Sequence, residues 1–307
     1  MRIFRYATVL ATASTAIGAA ISLESKKSTA KSTAPGANAA TAKAVADAVT
    51  EATKPRDQHA STKYFHEPGS DDILGHYDTR YFKEVVSYEE RTDTLHHMMR
   101  AYLEYFREAG LETWIAHGTL LGWWWNGKLL PWDWDIDTQV SGETLQYMAK
   151  NLNRTVHRYV SEDKEVEREY LLDVNPFAWE RERGDGMNII DARWIDTRNG
   201  LYIDITGLSE TKPDEQPGIW SCKNYHHYQT KDLYPMRESV YEGVPALIPY
   251  AYEKILVEEY KEKALVVTNY EGHAWDQQQK LWVKKPGYEK LEQQKAEERE
   301  KHKQKGS

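Results

Sequence analysis

Cysteine is almost absent from this sequence. Among 307 residues only Cys222 is a cysteine, so the chain has no internal disulfide and its folded part must be stabilised by packing alone. Cys222 lies in no motif typical of a catalytic thiol, and we interpret it as an ordinary thiol.

An excess of positive charge is also missing. Lys and Arg number 40 against 48 Asp and Glu, which gives a net charge of −8 and a sequence pI of about 5.8. Proteins that bind nucleic acid through its phosphates usually carry a basic surface, so we expect no nucleic-acid partner. The mean hydropathy is −0.76, and the body of the chain has no long apolar run of the kind that spans membranes.

The two ends of the chain differ in composition from the middle. Residues 1–22 carry Arg2 and Arg5, then a modestly apolar stretch and small residues, which is typical of a signal peptide. An uncleaved signal anchor and a mitochondrial presequence are the alternatives. Residues 23–60 are rich in Ser, Thr and Ala and predict a flexible stem, and residues 284–307 predict a solvated charged tail. We therefore expect one folded domain over 61–283 and a location in the secretory pathway, in the Golgi or ER lumen, with a membrane-anchored form and a secreted form as the alternatives.

Hydrophobic periodicity predicts both helices and strands in this domain. Apolar residues recur at helical spacing over 85–109, and Gly110 ends the pattern. A second helix is predicted over 143–151. Strands are predicted over 113–116, 170–174, 187–196 and 201–206, and the last two form a hairpin through the turn at 197–200.

Three aspartates alternate with apolar residues where the next strand is predicted. They are Asp133, Asp135 and Asp137. Alternate residues of a strand point to the same side, so Asp135 and Asp137 are expected to lie side by side, where their charges repel unless a cation lies between them. We predict that these two carboxylates bind a metal. Asp133 is either a third contact or a cap of the turn after Pro131.

Two further segments contain candidate site residues. Gly118 and Thr119 follow the strand at 113–116, and a glycine there is either a simple turn or lets backbone N–H groups approach a ligand. Asp204 lies in the strand at 201–206, opposite an apolar face. Its carboxylate either faces solvent or completes the metal site.

In combination, these segments resemble the LicD family, which includes bacterial phosphocholine transferases, fukutin and fungal mannosylphosphorylation proteins. The resemblance extends over residues 80–283 and is greatest to the fungal group. It is carried by His117–Gly122, Pro131–Asp137 and Gly200–Ile205, with support from Trp123–Gly127, Asn224–Tyr228, Tyr241–Pro245 and Tyr270–His273. It implies an α+β fold, a nucleotidyltransferase-like mixed β-sheet flanked by helices.

The resemblance also implies a site and an activity. The family's glycine turn, paired acids and later acid correspond to Gly118, Asp135 with Asp137, and Asp204. These residues imply a catalytic domain that uses Mg²⁺ or Mn²⁺ to move a phospho-sugar, with mannose phosphate from GDP-mannose as the first choice, from a nucleotide-sugar donor to a glycan acceptor such as an N- or O-linked mannan. Asp204 is expected to accept the proton of the acceptor hydroxyl.

Other residues are candidates for contacts with the donor. Gly118, Thr119, Lys128, Arg193 and Arg198 are candidates for its phosphates, and His227 is an additional site candidate. Bacterial relatives carry an Arg-containing segment where this chain has Trp125–Lys128, which leaves the donor open. Phosphocholine or a polyol phosphate from a CDP donor is the other option.

Three different classes of function stay open. The domain is either an enzyme or a non-catalytic regulator of a separate transferase, such as a partner glycosyltransferase. A carbohydrate-binding module with Trp123–Trp125 as its platform is a third reading. A calcium-binding EF-hand loop is excluded because, counted from Asp133, its sixth and twelfth positions are Thr138 and Thr144 rather than Gly and Glu.

Overall fold

A mixed β-sheet forms the centre of the fold in the computed structural model, which describes residues 63–290 and residue 294. The predicted signal segment 1–22, the stem 23–60 and most of the charged tail lie outside the described residues. The strands of the sheet are β1 (Thr113–Ile115), β2 (Ile136–Ser141), β3 (Thr155–Val160), β4 (Glu167–Val174), β5 (Ala192–Asp196), β6 (Tyr202–Glu210), β7 (Ile219–Ser221) and β8 (His227–Gln229).

The strand order brings segments that are distant in the chain together. It runs β1-β2-β6-β5-β4-β3, and β7 and β8 extend from the end of β6. Strands β2 and β6 are parallel, and the other neighbouring pairs of this sheet are antiparallel. Strands β5 and β6 form the predicted hairpin. The predicted strand 187–196 is formed only from residue 192, and before it the side chains of Asn188 and Asp191 bind other segments.

Helices pack around this sheet. They are α1 (Tyr88–Glu108), α2 (His117–Asn126), α3 (Gly142–Tyr147, continued by a π-helical turn over Met148–Leu152), α4 (Thr230–Leu233) and α5 (Tyr252–Ala264, broken at Lys261), with a 3₁₀ turn at Leu74–His76. Helix α1 begins where the Ser87 hydroxyl accepts a bond from the N–H of Glu90 and ends before Gly110, whose φ is +66°. In the described part of the chain, no helix combines the length and apolarity needed to cross a membrane.

Two smaller sheets complete the domain. One pairs β9 (Arg237–Tyr241) with β10 (Val244–Ile248), and the other contains β11 (Asn269–Tyr270), β12 (His273–Asp276) and β13 (Leu281–Lys284). Packing continues past the predicted boundary at 283, because Tyr288 is buried and its ring lies 5.9 Å from that of Tyr88. The aromatic ring makes this part of the tail more apolar than its overall charge suggests.

Two rows of directly opposed side chains cross strands β2, β6, β5 and β4. One row is apolar and buried, and it contains Ile136, Ile203, Trp194 and Leu172. Helix α1 packs on this side, where the ring of Tyr102 meets that of Trp194 edge-on at 5.9 Å. The adjacent row is charged and contains Asp137, Asp204, Arg193 and Asp173. Because successive residues of a strand point to opposite faces, the sheet separates an apolar core from a charged face.

The predicted α+β class, a mixed sheet flanked by helices, is therefore confirmed. The parallel pairing of β2 with β6 positions the candidate site, because it places the paired acids, Asp135 and Asp137, beside Asp204.

Candidate functional site

Three of the predicted site residues meet at the start of β2. Asp137 lies on β2 directly opposite Asp204 on β6, and neighbouring strands are about 4.8 Å apart. Asp135 lies just before β2, and Asp133 lies in the preceding turn. Asp133, Asp135 and Asp137 line a cavity of about 1480 Å³. The structure thus brings together acids that lie in two separate segments of the sequence.

These carboxylates perturb one another strongly. Burial and the charge of Asp135 raise the pKa of Asp137 to about 8, and the same two causes raise the pKa of Asp133 well above its usual range. Burial also raises the pKa of Asp204, although Arg193 partly opposes that rise. Positive charge from the protein is thus insufficient to keep all these groups ionised. Carboxylate oxygens are the ligands preferred by hard divalent cations, and such a cation would offset the repulsion, so the acids are compatible with a divalent metal.

The backbone of Asp137 is fixed by the start of α2. Its N–H donates to the hydroxyl of buried Thr119 at 2.9 Å, and its carbonyl accepts from the N–H of Ala116 at 3.1 Å. A Cβ atom on Gly118 would lie 2.9 Å from Oδ2 of Asp133, so a larger residue would require this carboxylate to shift. Gly118 and Thr119 therefore lie in the first turn of a helix rather than in an extended turn, and both of them contact the acids.

Arg193 anchors Asp204 from the neighbouring strand. Its Nε donates to Asp204 at 2.9 Å and its Nη2 donates to Glu67 at 2.6 Å. The guanidinium is almost fully buried, and it lies over the ring of Tyr202 at 3.7 Å. Although burial opposes its charge, Asp204 and the other nearby groups keep its pKa raised. Arg193 is therefore engaged with protein carboxylates, and its described contacts place it behind Asp204.

The structure does not bring the remaining predicted residues to the acids. Lys128 is exposed just after α2, and the described lining of the cavity does not include it. Arg198 binds Asp196 at 2.9 Å. His227 is exposed, and one of its ring nitrogens lies 2.8 Å from the carbonyl oxygen of Tyr225.

Three residues near the acids were missed by the reading of the sequence. His117 and Glu259 form a pair with a distance of 2.9 Å between Nδ1 and Oε2, and the ring of His226 lies 4.2 Å from that of His117. His117 and His226 belong to segments that carry the LicD resemblance, which was an available signal. Glu259 lies on α5 among other charged residues, and no feature of the sequence distinguishes it from them as a site residue.

These groups differ in charge. Burial opposes protonation of His117, but its bond to Glu259 and the nearby charge of Asp137 outweigh this effect and raise its pKa. The bond to His117 likewise outweighs burial at Glu259 and lowers the pKa of that carboxyl. Burial and the neighbouring His117 lower the pKa of His226 to about 4, so its ring is neutral at neutral pH.

The tryptophans at 123–125 do not form an exposed platform. Their indole N–H groups donate to Ser239 at 2.7 Å, Leu265 at 3.4 Å and Ala264 at 3.3 Å. All three rings are partly buried against the hydrophobic core. The reading of this segment as a carbohydrate-binding platform is therefore not supported, since the rings join elements of the fold to one another.

Comparison with known proteins agrees with this geometry. Residues 110–251 match the model of a family described as LicD/FKTN/FKRP, nucleotidyltransferase domain. This part of the chain is therefore similar to a LicD-type nucleotidyltransferase domain. The predicted resemblance is confirmed, and the matched region contains Gly118, Asp135, Asp137 and Asp204.

Two yeast proteins extend the likeness. The chain is 35% identical over 156 residues to Mannosyltransferase regulator 4 of Saccharomyces cerevisiae. The aligned region covers 48% of this chain and 13% of the relative. The chain is 35% identical over 141 residues to Mannosyltransferase regulator 14 of the same yeast, which covers 44% and 14%. The chain thus spans about one-seventh of the length of these relatives.

Proposed function

We propose that this chain is a metal-dependent phosphotransferase that moves a phospho-sugar from a nucleotide donor to a glycan hydroxyl. The observation that carries the proposal is the pairing of Asp137 with Asp204 on parallel strands, together with the position of Asp135 and Asp137 in the lining of a large cavity. GDP-mannose is the proposed donor and a mannose-bearing glycan is the proposed acceptor, in keeping with the LicD domain and with the names of the yeast relatives.

Asp135 and Asp137 are the residues that would hold the cation, with Mg²⁺ or Mn²⁺ as the proposed species. Once bound, such an ion supplies positive charge that offsets the developing charge on the donor diphosphate. The start of α2 fixes the backbone of Asp137 through Thr119, so its carboxylate is held in one place before the donor arrives. Fixed geometry of this kind lowers the cost of reaching the transition state.

Asp204 is the proposed general base. The acceptor oxygen would form a bond to the phosphorus that bears the sugar, the bond from this phosphorus to the nucleoside monophosphate would break, and the hydroxyl proton would pass to Asp204. Burial raises its pKa, which makes the carboxylate a better proton acceptor than an ordinary aspartate. Arg193 would act as a positioning residue, since it binds Asp204 at 2.9 Å from the side of the protein.

The cavity is the proposed binding site for the donor. Its volume of about 1480 Å³ exceeds the roughly 300–1,000 Å³ of common small-ligand pockets. It therefore has room for a nucleotide-sugar and for part of an acceptor. Aromatic residues of the lining, among them Trp132, Trp134 and Tyr270, offer flat faces suited to a base or a sugar ring. We further propose a location in the ER or Golgi lumen, which rests only on the signal-like composition of residues 1–22.

A donor screen tests the proposed activity. The full chain is incubated with Mn²⁺ or Mg²⁺, a mannose oligosaccharide and either GDP-mannose or CDP-linked donors, and release of GMP or CMP is followed. We expect metal-dependent release that Asp137→Asn abolishes. Asp214→Asn, which alters an exposed aspartate in the 211–217 loop, is the matched control and should retain the activity.

Regulation of a separate transferase is the second candidate, because both yeast relatives carry the word regulator in their names. It predicts that folded chain binds Mn²⁺ yet releases no nucleotide from any donor. Under this candidate, the chain would increase nucleotide release only when a separate mannosyltransferase is also present. Release by the purified chain alone, lost in Asp137→Asn, would contradict this candidate.

A further inference from the structure

A second set of potential metal ligands lies beside the acids. His117 at the start of α2, His226 in the loop before β8 and Glu259 on α5 each offer a ligand atom, and these atoms all lie within 4.8 Å of one another. Two imidazoles and one carboxylate differ from the all-oxygen set of the aspartates. Such mixed sets bind borderline transition metals, Zn²⁺ above all, whereas carboxylates alone suit Mg²⁺ and Mn²⁺.

Neighbouring groups hold two of these side chains by their other polar atoms. The Tyr228 hydroxyl donates to Oε1 of Glu259 at 3.0 Å, which leaves Oε2 directed at the cluster. Sγ of Cys222 lies 3.3 Å from Nδ1 of His226, which leaves Nε2 of that ring for a cation. Ligand side chains in protein metal sites are usually oriented by such secondary hydrogen bonds.

The same pattern continues at His117. Its Nδ1 faces Glu259, and its Nε2 lies 3.4 Å from the side-chain amide of Gln139. The φ angle of His117 is +50°, a left-handed conformation that is unfavourable in a residue with a Cβ. The fold therefore maintains an unfavourable backbone conformation at the residue that faces Glu259.

An ion pair without metal explains only part of this arrangement. It accounts for His117 and Glu259, which are 2.9 Å apart. It gives no role to His226, whose ring lies 4.2 Å from that of His117 at a tilt of 38° and brings no negative charge to the pair. A shared cation uses all three groups.

We propose that His117, His226 and Glu259 bind one Zn²⁺-class cation, distinct from the hard cation assigned to Asp135 and Asp137. The site joins α5 to the start of α2. Tyr260 and Lys263 of α5 line the cavity, so the cation holds one wall of the cavity against the helix that fixes Asp137. The proposal does not depend on the transferase activity.

Zinc binding to the full chain tests this proposal. The protein is stripped with a chelator, mixed with Zn²⁺ in the presence of excess Mg²⁺, desalted and assayed for metal, and the affinity is measured by competition with a zinc-sensitive dye. We expect one Zn²⁺ per chain. His226→Ala and Glu259→Gln should weaken the affinity at least about tenfold, whereas the matched control His227→Ala, which alters the exposed neighbour, should bind as the wild type does.

Two outcomes would overturn the proposal. One is a wild-type chain that retains no Zn²⁺, and the other is equal binding by His226→Ala and His227→Ala. Asp137→Asn serves as a further control, because loss of Zn²⁺ in that variant alone would assign the ion to the aspartates. X-ray absorption at the zinc edge needs no variant. It should show imidazole nitrogen at about 2.0–2.1 Å, and an all-oxygen shell would refute the site even if the variants fail to fold.

Discussion

Replacing Arg193 by Met should destabilise the domain because it removes the positive member of the charged row. Arg193 is 3% exposed and binds Asp204 and Glu67, whose side chains are 17% and 13% exposed. Removing one partner of a buried ion pair typically costs about 3–5 kcal/mol, because the other charge stays buried without compensation. Since Asp204 is partly open to solvent, we expect a loss of about 3 kcal/mol in the free energy of unfolding.

Urea unfolding of the full chain, followed by tryptophan fluorescence, measures this loss. Arg158→Met is the matched control, because Arg158 lies on β3 and binds Glu167 at 2.6 Å, with both side chains largely exposed. This control should unfold close to the wild type, since exposed pairs contribute little. The double variant Arg193→Met with Asp204→Asn should recover part of the lost stability, because it removes one uncompensated carboxylate.

The effect of Arg193→Met also has a predicted pH dependence. Without its partner, the Asp204 carboxyl should have a pKa raised further than burial already raises it. A raised folded pKa means that the folded state retains a proton which the unfolded chain releases, so the variant should lose more stability as pH rises above about 4, the ordinary pKa of an aspartate. A loss below about 1 kcal/mol, or one equal to that of Arg158→Met, would refute the charged row as a source of stability.

Three further predictions concern the region around Asp137. Thr119→Val should cost about 1–3 kcal/mol of stability in urea unfolding, because the N–H of Asp137 loses its acceptor; Thr119→Ser should largely restore it, and equal stability of the two variants would contradict the role of the hydroxyl. Gly118→Ala should lower metal-dependent nucleotide release by about 10- to 100-fold, because its Cβ would lie 2.9 Å from Asp133. Gly75→Ala is the control and should be neutral, since no atom lies within 4 Å of the Cβ that it adds. Similar activity of the two variants would argue against the contact with Asp133. Protons should compete with the cation at Asp137, because the pKa of that carboxyl is raised to about 8. The apparent affinity for Mn²⁺ should therefore rise about tenfold per pH unit as pH approaches 8 and then level off. A titration series with no pH dependence would contradict this pKa shift.

Local sequence pattern predicted the elements that carry the site. The helical spacing of apolar residues and Gly110 located α1 to within three residues of its observed start, and the predicted strands 170–174 and 201–206 overlap β4 and β6. The alternating acids predicted the proximity of Asp135 and Asp137. These features succeed because the side chains concerned are related by the short-range geometry of a strand or a helix.

Long-range register explains what could not be predicted. Asp204 meets Asp137 because β2 and β6 are parallel neighbours, and no local pattern specifies which strands pair or in which register. The same is true of Glu259, which reaches His117 only when α5 packs near the start of α2. Arg193 was expected at phosphate, but burial between Asp204 and Glu67 fixes it among protein carboxylates.

The short glycine segment shows a different limit. A glycine after a strand is equally compatible with a loop and with a helix start, and here the helix begins at His117. The requirement at Gly118 is the close approach of Asp133, which comes from a segment beyond α2. The sequence analysis left open a simple turn or a backbone that approaches a ligand, and it did not predict a contact between Gly118 and Asp133.

Calorimetric titration of Mn²⁺ into the full chain tests the central proposal most directly, namely that Asp137 and its neighbours form a site for a hard divalent cation. We predict one binding event in the wild type that is absent in Asp137→Asn and retained in both Asp214→Asn and His226→Ala. Equal Mn²⁺ binding by the wild type and Asp137→Asn would contradict the proposal and would place the cation away from the paired aspartates.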